Sequence, residues 1–271
     1  SFLRVVVTSR PEQFGVSDRS GAEIYERIAE LYDWEHDRYG EDLDFYRALA
    51  KRTGGPVLEL GCGTGRVLAD LAAEGHHCIG VDASPAMLAR ARQRLSRRGL
   101  DADLLEAPMQ QFGTPRPARL AVIALDSFGH LLIQDDQLRA LTMIGSALTD
   151  GGLLVIDVSN GNNHGEPREE LAHHITADGT DGETVITKWV SRATDPSEQI
   201  DDLIYWYDVA GADGVVRRTT VEFALRYFTR FELTLLLERA GFTVETLYGS
   251  YDLESFGPQS ERLIAVARKQ G

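Results

Sequence analysis

The sequence predicts an α/β fold, a doubly wound and largely parallel sheet with an antiparallel layer inserted late in the chain. Three observations predict it. Short apolar runs alternate strictly with amphipathic stretches between residues 57 and 158. A cluster of glycines lies directly between the first apolar run and the helix after it. After Asn160 the helices stop and three long strand-like segments follow, which without intervening helices should pair antiparallel.

Each element has its own reason. Ile24, Ile28, Leu31 and Tyr32, then Leu43, Tyr46, Leu49 and Ala50, recur at helical spacing, so residues 22–52 read as helical until Gly54-Gly55-Pro56 breaks the pattern. Val57–Leu60 is the first strand and Gly65–Ala73 the first helix of the alternation. Cys78–Val81 is the second strand. Ser84–Leu95 is the second helix, with Ser84 as N-cap and Pro85 at the first helical position. A third strand is expected at Ala102–Leu105, a fourth at Leu120–Leu125, a helix at Asp135–Leu148 and a fifth strand at Gly152–Val158. The segments Thr184–Arg192, Ile200–Val209 and Val215–Tyr227 are the inserted strands, with a turn at Gly211–Gly214. Thr229-Arg230-Phe231-Glu232 has the pattern of a capping box opening a helix that ends at Gly241, and strands at Phe242–Tyr248 and Arg262–Ala267 close the chain. The expected organisation is an N-terminal helical cap (1–54), a core (55–159 with 229–271) and an antiparallel insertion (160–228) that covers substrate or makes a dimer contact.

Composition narrows the function. The chain has 271 residues, enough for one sizeable α/β domain with an insertion. Its 28 Lys and Arg stand against 42 Asp and Glu, a net charge of −14, which argues against nucleic acid as the partner. The arginines between Arg90 and Arg98 read as the solvated face of a helix. Cys62 and Cys78 are too few for a disulfide framework. Phe2–Val7 is too short for a signal peptide, and no apolar stretch approaches the ~20 residues of a membrane span, so a cytoplasmic protein is expected.

The chemistry concentrates in Val57-Leu58-Glu59-Leu60-Gly61-Cys62-Gly63-Thr64-Gly65-Arg66. Glycines there permit backbone turns closed to other residues and the close approach of a ligand, and a helix start offers free N–H groups. Asp82, 17 residues after Gly65, ends the second strand, where a carboxylate can accept both hydroxyls of a ribose. Dinucleotide enzymes prefer G-x-G-x-x-G; here Arg66 stands at the sixth position.

With Glu59 ahead of Gly61-x-Gly63-x-Gly65, the sequence resembles the class I S-adenosylmethionine-dependent methyltransferases, whose first motif is E/D-x-G-x-G-x-G. Three further stretches occur in the same order: Gly80–Met87, Leu125-Asp126-Ser127, and Leu148–Gly152. The resemblance implies a Rossmann-like, seven-stranded sheet, with S-adenosyl-L-methionine as co-substrate. It implies that Gly61, Cys62 and Gly63 line the methionine part, flanked by Gly65 and Arg66, and that Glu59 braces the loop or reaches the cofactor amine. It puts Asp82 on the ribose, Ala83 and Met87 near the adenine, and the carbonyl of Leu125 near the amine. Ala107-Pro108-Met109 occupies the loop that in this family often carries an Asp toward the adenine amino group; Pro108 stands there instead, leaving Gln110 or backbone atoms for that bond. Tyr32 and Tyr39 resemble the tyrosines that close over the cofactor.

The acceptor should lie beyond the carboxyl ends of the strands. Asp126-Ser127-Phe128-Gly129-His130 is similar to the Ser-x-x-His stretch of small-molecule N-methyltransferases, including those that dimethylate nucleotide-linked amino sugars. Methyl transfer to an amine needs an aligned lone pair and a destination for a proton. His130, with an ordinary pKa near working pH, either takes that proton or only positions the acceptor; His130 and Tyr32 are the catalytic candidates. The expected activity is methylation of a small molecule, at an amine nitrogen of a secondary metabolite or amino sugar. Oxygen or carbon methylation, a nicotinamide-dependent oxidoreductase and a non-catalytic nucleoside-binding partner remain alternatives. A metal set of Asp126, Asp157 and Asn160 is also open, though Asp157 is expected to face away and no metal is assigned. His173-His174 reads as a solvated pair rather than a ligand pair.

Overall fold

The computed structural model describes residues 21–163, 171–175, 185–210 and 215–271. The segment Phe2–Val7, the turn at Gly211–Gly214 and the side chains of His173 and His174 lie outside the described residues.

Two helices lead in, α1 (Gly21–His36) and α2 (Leu43–Thr53). The alternation that follows is β1 (Val57–Leu60), α3 (Arg66–Ala73), β2 (Cys78–Asp82), α4 (Pro85–Arg97), β3 (Asp103–Glu106), β4 (Ala118–Ile123), α5 (Gln134–Ala147) and β5 (Leu148–Ser159). A second set of strands comes next: β6 (Leu171–Ile175), β7 (Val185–Asp195), β8 (Ile200–Ala210) and β9 (Val216–Arg226). Helix α6 (Arg230–Arg239), β10 (Phe242–Tyr248) and β11 (Arg262–Lys269) complete the chain.

The main sheet has seven strands in the order β10-β11-β5-β4-β1-β2-β3. Strands β1 to β5 are mutually parallel, and β11 runs antiparallel to both β5 and β10. All four residues of β1 are buried, as expected of a central strand with helices over both faces. Phe45, Tyr46, Leu49, Val67, Leu68 and Leu71 from α2 and α3 pack on one face. Leu141 and Ile144 of α5 and Leu233, Leu236 and Leu237 of α6 cover the other. The N-cap of α4 forms as expected, with the Ser84 hydroxyl accepting from Met87 N at 3.2 Å.

Four local expectations change. The fourth strand stops at Ile123, because Leu125 and Asp126 take left-handed backbone angles (φ 47° and 62°) and turn the chain across the sheet edge. The capping box at Thr229 does not form: Thr229 makes no side-chain cap bond, and Glu232 is drawn instead to Arg226 (2.9 Å) and Gln199 (2.7 Å). Arg90 and Arg94 do not simply face solvent; both pair with Asp33, and Arg94 also meets Asp37 at 2.5 Å, which fastens α1 to α4. The late strands do not extend the main sheet. They form their own antiparallel four-stranded sheet, β6-β7-β8-β9, tied to the main body at an isolated bridge between Asn160 and Phe228. Ile186, Leu203, Tyr207, Val221 and Phe223 of this second sheet enclose Ile24 and Ile28 of α1. The second sheet thus reaches the core across α1, over the carboxyl ends of the parallel strands.

Candidate active site

A cavity of about 610 Å³ lies at that edge, inside the range of small-molecule sites. Its floor is the β1–α3 loop (Gly61, Gly63), the end of β2 (Asp82, Ala83), Met87 of α4 and the loop after β3 (Ala107, Pro108, Met109, Gln110). The turn after β4 adds Leu125, Asp126, Ser127 and His130. Helix α1 brings Tyr25, Ile28, Tyr32, Glu35 and His36 over it, and the second sheet roofs it with Lys188, Tyr205, Tyr207, Phe223 and Leu225.

The floor is built by backbone geometry. Gly61, Gly63 and Gly65 all have positive φ (66°, 53° and 76°), and a Cβ on Gly61 would stand 2.8 Å from Met109 Cε and 2.9 Å from Ser127 Cβ. The Asp82 carboxylate accepts from Gly63 N and Ser84 N, each at 2.8 Å. Burial pushes its pKa up, against the pull of those backbone donors. Under the loop, Glu59 is 3 % exposed and its Oε2 has no hydrogen-bond partner among the described residues. Burial raises its carboxyl to about 8, which favours the neutral acid until a cation brought to this side draws the proton off. An adenosyl group with an attached ammonium fits these residues: a cradle only glycine permits, a fixed carboxylate beside it, and a buried carboxyl beneath that a cation would ionise.

Of the residues expected from the sequence, Tyr32, Gly61, Gly63, Asp82, Ala83, Met87, Ala107, Pro108, Met109, Leu125 and His130 line this cavity together. Gly65 lies beneath the floor, packed on Ala91. Cys62 turns its sulfur into the core against Gly80. Arg66 is spent on Asp42, with bonds of 2.7 and 2.6 Å. Tyr39 lies under the Arg66 guanidinium (5.2 Å) and beside Tyr251, off the cavity wall. The three-residue metal grouping resolves otherwise. The cation shared by Asp126 and Asp157 is the guanidinium of Arg262, at 2.9 Å from Asp126 Oδ2 and 2.8 Å from Asp157 Oδ1. Asp157 does not face away from every partner; Tyr46, Tyr251 and the Leu125 amide also bond it.

His130 differs from the expectation of an ordinary pKa. Burial drives it down to about 4, only partly opposed by Asp126, so the imidazole is neutral at working pH. Its Nε2 is 3.0 Å from the Tyr25 hydroxyl, and its Nδ1 has no hydrogen-bond partner among the described residues. Tyr32 meets Tyr25 edge-on and stacks on His36 at 4.0 Å.

Sequence reasoning missed Tyr25, Glu35 and Lys188; Tyr205 and Tyr207, whose aromatic character in the inserted strands suggested a pocket roof among other roles, do line the cavity. Lys188 Nζ sits 2.5 Å from Glu35 Oε1 and 3.8 Å over the Tyr205 ring, while the Tyr207 hydroxyl donates to Glu35 Oε2 at 2.9 Å. The available signal was Lys188 at the inward register of β7, two residues from the buried Ile186, where a charge is out of place without a partner.

A parallel sheet with a glycine loop, a carboxylate after its second strand and a roofed cavity defines an enzyme that handles an adenosyl ligand. Residues 57–152 match a family described as a methyltransferase domain. The chain is 29 % identical over 231 residues to the dTDP-3-amino-3,6-dideoxy-alpha-D-glucopyranose N,N-dimethyltransferase of Streptomyces fradiae, covering 82 % of this chain and 86 % of that one. An S-adenosylmethionine-dependent methyltransferase from Clostridium acetobutylicum shares the fold with a TM-score of 0.77 at 17 % identity, covering 91 % of this chain and 99 % of that one. DesVI of Streptomyces venezuelae does so with a TM-score of 0.74 at 22 % identity, covering 90 % and 98 %. Residues 57–152 are a methyltransferase domain, and the chain is a methyltransferase with the fold of an S-adenosylmethionine-dependent enzyme.

Proposed function

We propose that this enzyme methylates an amine nitrogen of a small molecule, of the amino-sugar kind. The observation that carries the reading is the Tyr25–His130 pair on the cavity wall, 3.0 Å apart, part-buried and neutral. The co-substrate supplies an electrophilic methyl on a sulfonium. The chain's own residues do the rest. Asp82 holds the ribose, Gly61 and Gly63 line the methionine part, and the Leu125 carbonyl and Glu59 serve the ammonium end. Tyr32 and the Tyr25–His130 pair meet the acceptor. An amine reacts only with its lone pair free, and the uncharged Tyr25–His130 pair beside it favours the neutral amine over ammonium. A histidine held near 4 is a poor proton sink at neutral pH, so His130 orients the nucleophile and the proton passes to water. The name of the Streptomyces fradiae relative, an amino-sugar N,N-dimethyltransferase, supports an amine acceptor.

The test is a methyl-transfer assay with amino sugars and their deaminated counterparts, read by mass spectrometry with the modified atom located. Addition of one or two methyl groups at nitrogen is expected. Transfer to a hydroxyl of the deaminated compounds, with the amines inert, would refute the reading.

A further inference from the structure

We infer that the acceptor is presented to this enzyme without a phosphate group, and that Glu35 enforces that choice by neutralising Lys188. The inference rests on the amine-methylation reading above. Among the described residues that line the cavity, the groups able to carry positive charge are Lys188, His36 and His130. Neither histidine serves an anion: burial holds both below their ordinary value, His36 gives its Nδ1 to the Tyr32 carbonyl at 3.0 Å, and His130 bonds Tyr25. Lys188 is charged but spent. Its Nζ is 2.5 Å from Glu35 Oε1, with the Tyr205 ring on another side at 3.8 Å. The pair is deep, with side-chain exposures of 8 % for Lys188 and 20 % for Glu35, so its charges cancel where water screens little.

The other charged groups on the described wall are carboxylates. Asp82 and Asp126 both border the cavity, and Arg262, which balances Asp126, is not part of the lining. A diphosphate entering this space would give up water and find no free counter-charge among the described lining residues, a costly transfer. The roof instead offers Tyr205, Tyr207, Phe223 and Leu225, which suit an amine on an uncharged, partly apolar body. Recognition of a diphosphate calls for arginine forks or free lysines, and Glu35 removes the lysine at hand.

The discriminating experiment uses one amine on two carriers: dTDP-3-amino-3,6-dideoxyglucose and the 4-nitrophenyl glycoside of the same 3-amino-3,6-dideoxyglucose. With the wild-type enzyme the aryl glycoside is expected to have a kcat/KM at least tenfold higher. Preference for the nucleotide-linked sugar, or inhibition of aryl-glycoside turnover by dTDP, overturns the inference and leaves amine methylation standing. Failure of both compounds with S-adenosylhomocysteine still binding overturns both. In Glu35→Gln the lysine is released, and the preference should shift at least tenfold toward the nucleotide-linked sugar. An equal loss on both acceptors would mark Glu35 as merely structural. Should Glu35→Gln fold poorly, Glu35→Gln combined with Lys188→Met keeps the wall neutral and should retain the wild-type preference; a shift toward the nucleotide-linked sugar in that variant refutes the role given to Lys188.

Discussion

At Gly61 a φ of +66° and the close approach of Met109 and Ser127 leave no room for a side chain. The Met109 tip can yield, but Ser127 Cβ belongs to the turn after β4. Gly61→Ala is therefore expected to cost ~1–3 kcal/mol in backbone strain and to weaken S-adenosylhomocysteine binding by tenfold or more in calorimetry; unchanged affinity would contradict the cradle. Asp82 is fixed by two backbone N–H donors at 2.8 Å, so Asp82→Asn turns an amide N–H toward a donor and should lower the same affinity by about tenfold, the equivalent of ~1.4 kcal/mol. His130 makes a pH prediction. Its folded value is depressed to about 4, so the unfolded chain takes up the proton first as pH falls. Its contribution to stability is complete above the ordinary value near 6.5 and is lost as pH drops toward 4, at ~1.4 kcal/mol for each unit of depression. His36, also depressed, adds a slope of the same sign. Urea midpoints should fall across that window, and His130→Asn should flatten the fall; parallel curves for the two proteins would show that His130 is not the buried neutral group described.

The turn after β4 is held by an ion network rather than by its own sequence. Two successive non-glycine residues, Leu125 and Asp126, sit at positive φ, a conformation that persists only when its surroundings impose it. The Leu125 amide donates to Asp157 at 3.1 Å, Ser159 N to Asp126 at 2.5 Å, and Arg262 joins both carboxylates. Arg262→Met would leave Asp157, fully buried, without its cation, and should destabilise the protein by ~3–5 kcal/mol in urea unfolding. A loss below about 1 kcal/mol would show that the hydroxyls of Tyr46 and Tyr251 suffice. This element also marks where the sequence was legible. The loop from Glu59 to Arg66 and the carboxylate at 82 could be read directly, because β1 and β2 are adjacent parallel strands and the spacing between them is local. The partner of Asp157 lies 105 residues on, set by the antiparallel register that places Arg262 opposite Ser159, and nothing local announces it. The capping box at Thr229 failed for a similar reason, since Glu232 found a stronger partner in Arg226. The alternation in β7–β9 announced strands but not that they would form a sheet of their own. The inward Lys188 becomes intelligible only beside Glu35, which comes from α1.

Across the whole molecule, α1 is the part that joins core to roof. Asp33 pairs with Arg90 and Arg94 of α4, and the Glu26 carboxylate accepts from Ser84 Oγ at 2.7 Å and Ala86 N at 3.0 Å. On the opposite side Ile24 and Ile28 enter the roof core, and Glu35 holds Lys188 and Tyr207. Any ligand on the cavity floor lies beneath this helix, so release requires α1 to part from α4 or from the roof. The α4 contact is the weaker of the two, because it consists of partly exposed ion pairs whereas the roof contact adds buried apolar surface. Opening should therefore begin at Asp33, as a local event that costs less than global unfolding. Asp33→Asn should lower global stability by ~1.5–3 kcal/mol while raising the dissociation rate of S-adenosylhomocysteine by about tenfold, a barrier change of ~1.4 kcal/mol. Stopped-flow release measured beside urea unfolding separates the two quantities. If the off-rate stays fixed while stability falls, the helix does not govern release, and the ligand leaves between the second sheet and the turn after β4 instead.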